Sequence, residues 1–261
     1  MATKKDGSGL PAELEAAFSS DSGKGFEEIT SSDLQIPFLR VLQPLSPQLK
    51  KSDDAFIEGA SQGDIFNTVT KTFWSGEEGV VVIPCYYQLK LLEFVPRTQG
   101  GGFQGELSPN SPEVQNVQRD KETNMELLDN GNELVKTAQH YVKIVHEDGT
   151  LESAIIDMKK TQLKKSRGWN TLMSMQKHNG MLLPTYSNMY RLTTSEDSND
   201  KGSWITWSVK HESMVKSIDV YNDAKGLHES VSSGELQIAP APSDELLAGP
   251  VEAGTDEDIP F

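Results

Sequence analysis

Between Met158 and Ser195 the chain carries seven basic side chains and no acidic one, although the chain as a whole is acidic. The basic residues are Lys159, Lys160, Lys164, Lys165, Arg167, Lys177 and Arg191, with Trp169, Tyr186 and Tyr190 set among them. Cationic side chains neutralise phosphates, and aromatic faces stack on bases whatever their sequence, each stack being worth roughly 1–3 kcal/mol. Like charges this close repel unless an anion gathers them, so the stretch reads as a site for an unpaired polynucleotide strand. Trp169 has two readings, because Leu163, Leu172 and Met173 can share its helical face and make it a core anchor. Tyr87, Phe94, Trp204 and Trp207 offer further rings. They lie in predicted strands, where alternate residues point inward, so about half of them belong to the core.

Chemistry of other kinds finds no support. His140, His146, His178, His211 and His228 show no metal-ligand spacing, and the single Cys85 with scattered histidines makes no nucleophilic site. Gly100-Gly101-Gly102 follows Gln99 in a polar stretch and does not open a helix, so no phosphate loop is expected. The carboxylates are numerous without being paired in an apolar setting. The expectation is a binding protein, not an enzyme, with no catalytic residues, no metal and no cofactor.

The second informative region is the C-terminus. After Lys225 there is no Lys or Arg, while Glu229, Glu235, Asp244, Glu245, Glu252, Asp256, Glu257 and Asp258 follow among Gly, Ala, Pro and Ser. Such a segment buries too little apolar surface to offset its ordering entropy, which predicts a disordered acidic tail. It nevertheless ends in Ile259-Pro260-Phe261. An aromatic ring and an α-carboxylate suit a pocket with a basic clamp, and Asp256-Glu257-Asp258 suits a basic rim, so the tip reads as a segment for other proteins to hold.

This terminal Asp-Glu-Asp-Ile-Pro-Phe resembles the C-terminal tip of bacterial single-stranded DNA-binding proteins, and acidic tails with a terminal aromatic also close several bacteriophage proteins of that type. The stretch Ile36-Pro37-Phe38-Leu39-Arg40-Val41-Leu42-Gln43-Pro44-Leu45-Ser46-Pro47, with Gly63-Asp64-Ile65-Phe66-Asn67, is also similar to phage-encoded proteins of this kind. The resemblance implies a sequence-independent single-stranded DNA-binding protein of replication, recombination or repair. Its tip would recruit helicase, polymerase or nuclease partners. The rest of the chain does not follow the bacterial pattern, so tetramer formation and wrapping residues are not carried over and the oligomeric state stays open. Two other readings stand beside it: a strand-annealing or recombination-mediator protein, and an acidic scaffold or DNA mimic that binds a host protein.

Composition is compatible with this. The net charge of −15 argues at first against nucleic acid. Setting aside the eight acidic residues after Lys225 leaves 24 basic against 31 acidic residues, so the tail supplies about half of the imbalance. A local basic groove acts over roughly a Debye length, about 10 Å. The lone cysteine excludes an internal disulfide and fits a reducing cytosol, the host cytoplasm if the chain is phage-encoded. The N-terminal Met1-Ala2-Thr3-Lys4-Lys5-Asp6 has no apolar core after its lysines, and no apolar run reaches membrane-spanning length, so neither a secretory signal nor a membrane partner is expected.

The elements that must position these residues can be read in outline. Residues 1–32 form a mobile lead-in with a short helix from Pro11 to Phe18. Ile36–Leu42 and Gly63–Thr70 suit strands. Gly79–Val95 is the strongest strand, and Pro84 marks a bulge or an edge in its first half. Residues 98–133 read as a long mobile loop inserted between strands. Gln139–Glu147 alternates at period two, Asp148-Gly149 signals a hairpin, and Leu151–Ile156 returns. A helix over Thr161–His178, strands over Thr185–Thr194 and Ser203–Lys210, and a helix over Lys216–Ser230 complete the body. The fold class is mainly β with some α: an OB-fold-like small antiparallel β-barrel with an inserted helix, covering 33–232, flanked by disordered termini with the acidic tail at 233–261.

Overall fold

The computed structural model describes residues 10–28, 35–199 and 202–236. The acidic tip, Asp256 to Phe261, lies outside the described residues. The chain divides into two units, Met1–Gln35 and Ile36–Phe261. In the first, helix α1 (Ala12–Ser20) carries Glu13 and Glu15 in its first turn, where carboxylates favour the helix dipole, and buries none of its residues.

The second unit is built on one curled antiparallel sheet. Its strands come in chain order. β1 (Leu39–Val41), β2 (Ile65–Asn67) and β3 (Phe73–Trp74) form a small sheet of their own. β4 (Val80–Phe94), β5 (Phe103–Leu107), the short helix α2 (Pro112–Gln115), β6 (Gln118–Arg119) and β7 (Glu126–Leu127) follow. Then come β8 (Glu133–Val145), β9 (Leu151–Lys159), helix α3 (Leu163–Ser174), the small hairpin β10 (Lys177–His178) with β11 (Met181–Leu182), and β12 (Asn188–Asn199) with β13 (Gly202–Met214). Helix α4 (Ile218–Ser232) closes the described part.

In the main sheet the five long strands run in the order β13-β12-β4-β8-β9. Counted as strands one to five along the chain (β4, β8, β9, β12, β13), this is the order 5-4-1-2-3, with α3 between the third and fourth, an arrangement compatible with an OB-like fold. Val80 to Val82 pair with Tyr190 to Leu192 of β12, and from Val82 onward β4 pairs with β8 along its other edge. At Pro84, which has no N–H to give a ladder, the register slips so that Pro84 faces Val142 and Tyr86 faces Tyr141, leaving Cys85 as the extra residue of a bulge. Gly79 admits the close approach that starts this pairing: its φ is +72°, and a Cβ there would run into the Leu192 carbonyl oxygen.

The core follows the period-two pattern. Ala138, Val142 and Ile144 of β8, Ala154, Ile156 and Met158 of β9, Val80 and Val82 of β4, and Tyr190 and Leu192 of β12 point inward, with Trp169 and Met173 of α3 packed among them. The two outer strands of the sheet, β9 and β13, are bridged by the segment that precedes the barrel. Ile155 donates its N–H to the Pro37 carbonyl at 2.9 Å, and Phe38 pairs with Ile155 in parallel. On the other side the Gln43 side chain acts as a strand peptide: its Nε2 donates to the Ile205 carbonyl at 2.8 Å and its Oε1 accepts from the Ile205 N–H at 3.1 Å.

The expected long loop at 98–133 is instead built. β5 pairs with Leu91–Phe94 of β4, and Leu107, Val114 and Val117 pack with Leu91, Leu128 and Leu134 in a small apolar cluster of their own. Its strands are too short, and its apolar residues too widely spaced, to show a local period. Likewise the strands expected to end at Thr194 and to begin at Ser203 both run on into the polar residues between them, with Asn199 in register with Gly202.

Gln43→Ala removes both hydrogen bonds to Ile205 and leaves that backbone edge unpartnered. Urea unfolding should show a loss of about 1–3 kcal/mol; an unchanged midpoint would show that the Gln43 bridge contributes nothing.

Candidate nucleic-acid interface

Residues of β4, β8 and β9 that alternate with the core positions share the opposite face of the sheet. Lys90 lies opposite Thr137, and Thr137 opposite Lys159, so two lysines flank a fully buried threonine across three strands. Two strand spacings put their Cα atoms about 10 Å apart. Phe94 lies on the same face, four residues beyond Lys90. Lys159 Nζ sits over the Phe94 ring at 5.7 Å from its centroid, and Phe103 of β5 meets that ring edge-on at 5.6 Å. Beside them Gln139 donates to Asp157 at 2.9 Å, and Gln88 donates to the Tyr141 hydroxyl at 2.9 Å. In an OB fold the face of the second and third strands, flanked by the loops joining strands one to two and four to five, receives oligonucleotides. The first of those connections is the built segment from Val95 to Asn132.

Of the residues singled out from sequence, Lys159 and Phe94 are brought together here, and Lys160 stands at the end of β9, 3.0 Å from Glu133. Others are placed elsewhere. Trp169 is a core anchor: Leu163, Ser166, Trp169 and Met173 fall on one face of α3, and the Trp169 ring stacks on His140 at 4.4 Å. Tyr190 and Trp207 are also fully buried, so these three rings are corrected from stacking platforms to packing. Tyr186 packs against Tyr221 and His228 of α4. Trp204 is half-buried on β13, in register with Asp197. Tyr87 is exposed, but it faces His140 at 5.1 Å on the core side of the sheet.

The basic stretch does not form one patch either. Lys165 pairs with Asp197 at 3.8 Å, and Arg191 grips Glu212 with two hydrogen bonds, Nε at 3.1 Å and Nη2 at 2.8 Å. That fork holds the Glu212 carboxyl below its usual range and Arg191 above its own. Lys164, Arg167 and Lys177 project on exposed surface. An acid-free run in sequence is therefore met by carboxylates that the topology brings from other strands. Lys90, Phe103 and Thr137 were missed by sequence reasoning. The signal for Lys90 was present, since it interrupts an apolar strand at even spacing from Phe94. Among the described residues no His, Cys, Asp and Glu cluster could hold a metal, and no helix is long and apolar enough to cross a membrane.

Comparison with known proteins gives a match to the family described as Pam3 phage gp34-like protein, over residues 5–237. No curated protein and no solved structure matches the chain.

His140 gives a pH prediction. Burial pushes its imidazole down from 6.5 to about 3, and its Nε2 shares a 2.8 Å hydrogen bond with Ser166. Below pH 6.5 the unfolded chain takes up a proton that the folded one refuses, so this contribution to stability is whole above 6.5 and is lost as pH falls towards 3. In that window the wild-type slope should exceed that of His140→Gln by up to about 1.4 kcal/mol per pH unit. Parallel stability-versus-pH curves for the two proteins would contradict a neutral, buried His140.

Proposed function

The chain belongs to the Pam3 phage gp34-like family, and on that footing we propose that it is a sequence-independent single-stranded DNA-binding protein of phage DNA replication, recombination or repair, acting in the host cytoplasm. The observation that carries the reading is Phe94 with Lys159 above its ring, on the sheet face that OB folds use for strands. Phe94 and Phe103 supply faces for unstacked bases, and Lys90, Lys159 and Lys160 supply cations for the phosphates on either side. None of these contacts reads a base edge, so the preference is for the unpaired state and not for sequence. The segment Asp256-Glu257-Asp258-Ile259-Pro260-Phe261 recruits partner proteins such as helicase, polymerase or nuclease through its aromatic ring and acidic run.

Fluorescence-anisotropy titration of labelled oligo-dT tests this. Phe94→Leu keeps apolar bulk and removes the aromatic face, and should weaken binding by about 1–3 kcal/mol, roughly 5- to 150-fold, with the melting temperature little changed. Wild-type protein that fails to bind oligo-dT would overturn the reading and leave the acidic scaffold in front. Wild-type affinity in Phe94→Leu would move the interface elsewhere. Rapid pairing of complementary strands on the protein would favour a strand-annealing role instead.

A further inference from the structure

Each lysine of the candidate interface already faces a carboxylate. Lys90 meets Glu106 of β5 at 2.9 Å, Lys160 meets Glu133 at the start of β8 at 3.0 Å, and Lys159 lies 3.7 Å from Asp157. Lys90 and Lys159 are not loose surface chains, with side chains only 17% and 15% exposed; Glu106 stands 51% exposed and Glu133 13%. Glu133 lies opposite Phe94 in the β4–β8 register, so it borders the ring that would take a base. Such an arrangement cannot draw its affinity from phosphate charge alone. A phosphate that takes a lysine leaves behind a carboxylate facing the same backbone, so one anion replaces another and little charge is gained.

From this we infer that Glu106 and Glu133 are specificity-determining residues that reject duplex DNA; the inference rests on the single-strand reading above. Duplex DNA carries one negative charge per about 1.7 Å of axis, twice the density of one strand, so the carboxylates repel it more strongly. Its bases are stacked on one another, so Phe94 and Phe103 offer it nothing in return. A single strand is repelled less and can unstack bases onto the rings. Discrimination therefore comes from an element directed against the wrong partner as well as from contacts to the right one.

The test is a matched pair of titrations on the full chain, with oligo-dT and with a duplex of mixed sequence, for wild type and for Glu106→Gln/Glu133→Gln. Glu147→Gln, in the exposed turn at the far end of the β8–β9 hairpin, controls for the loss of a carboxylate outside this face. Duplex affinity should rise at least tenfold in the double variant and oligo-dT affinity less than threefold, so that the preference for single strands falls, while Glu147→Gln keeps the wild-type ratio. An equal gain for both ligands, no gain for either, or the same shift in Glu147→Gln would overturn the inference while leaving single-strand binding intact. Wild-type protein that binds no oligo-dT would bring down the functional reading itself, and the inference with it.

Discussion

Strand β4 has more neighbours than a straight strand can serve. One edge runs along β8 for most of its length, while the other meets β12 at Val80 to Val82 and β5 at Leu91 to Phe94. The two halves can take different partners because the strand bends at the Cys85 bulge, next to a proline that could not have continued the ladder. The proposed interface depends on that bend. The first half packs Val80 and Val82 against Tyr190, Trp207 and Trp169, and the second half carries Lys90 and Phe94 out to the face shared with β8 and β9. Burial pushes the Cys85 thiol up to about 12, as expected of a packing residue in this bend and not of a reactive thiol.

Electrostatics takes its form from the same topology. An acidic chain can carry a basic run without forming a basic patch when the fold sets carboxylates from other strands against it. Lys160 with Glu133, Lys165 with Asp197 and Arg191 with Glu212 are all such pairs. At the surface each contributes little to stability. On the proposed reading their consequence is for recognition: a face whose cations are already paired would select ligands by what else they offer, which for a polynucleotide is its bases.

Long periodic elements were legible in the sequence. The residues from Val80 to Phe94, the β8–β9 hairpin with its Asp148-Gly149 turn, α3 and α4 all lie where alternation or helical spacing puts them, and Pro84 marked the bulge. The spacing of Leu163, Ser166, Trp169 and Met173 also held the answer for Trp169, whose ring is core. What was not legible depends on contacts between distant residues. The apolar residues of the segment from Phe103 to Leu128 form a cluster only once β4 and β8 supply Leu91 and Leu134. Lys90 and Lys159 are 69 positions apart and become neighbours only through Thr137. Their carboxylate partners could not be assigned from charge patterning, because none but Asp157 is close to its lysine in sequence.

On the proposed function an unpaired strand lies across the face of β4, β8 and β9. Ultraviolet cross-linking of oligo-dT to the full chain, followed by mapping of the modified peptides, tests it most directly. Cross-links are expected in the peptides that contain Phe94 and Phe103, suppressed by excess unlabelled oligo-dT and not by duplex. Cross-links confined to the exposed surface of α3, or to peptides around Tyr186 and Trp204, would contradict it.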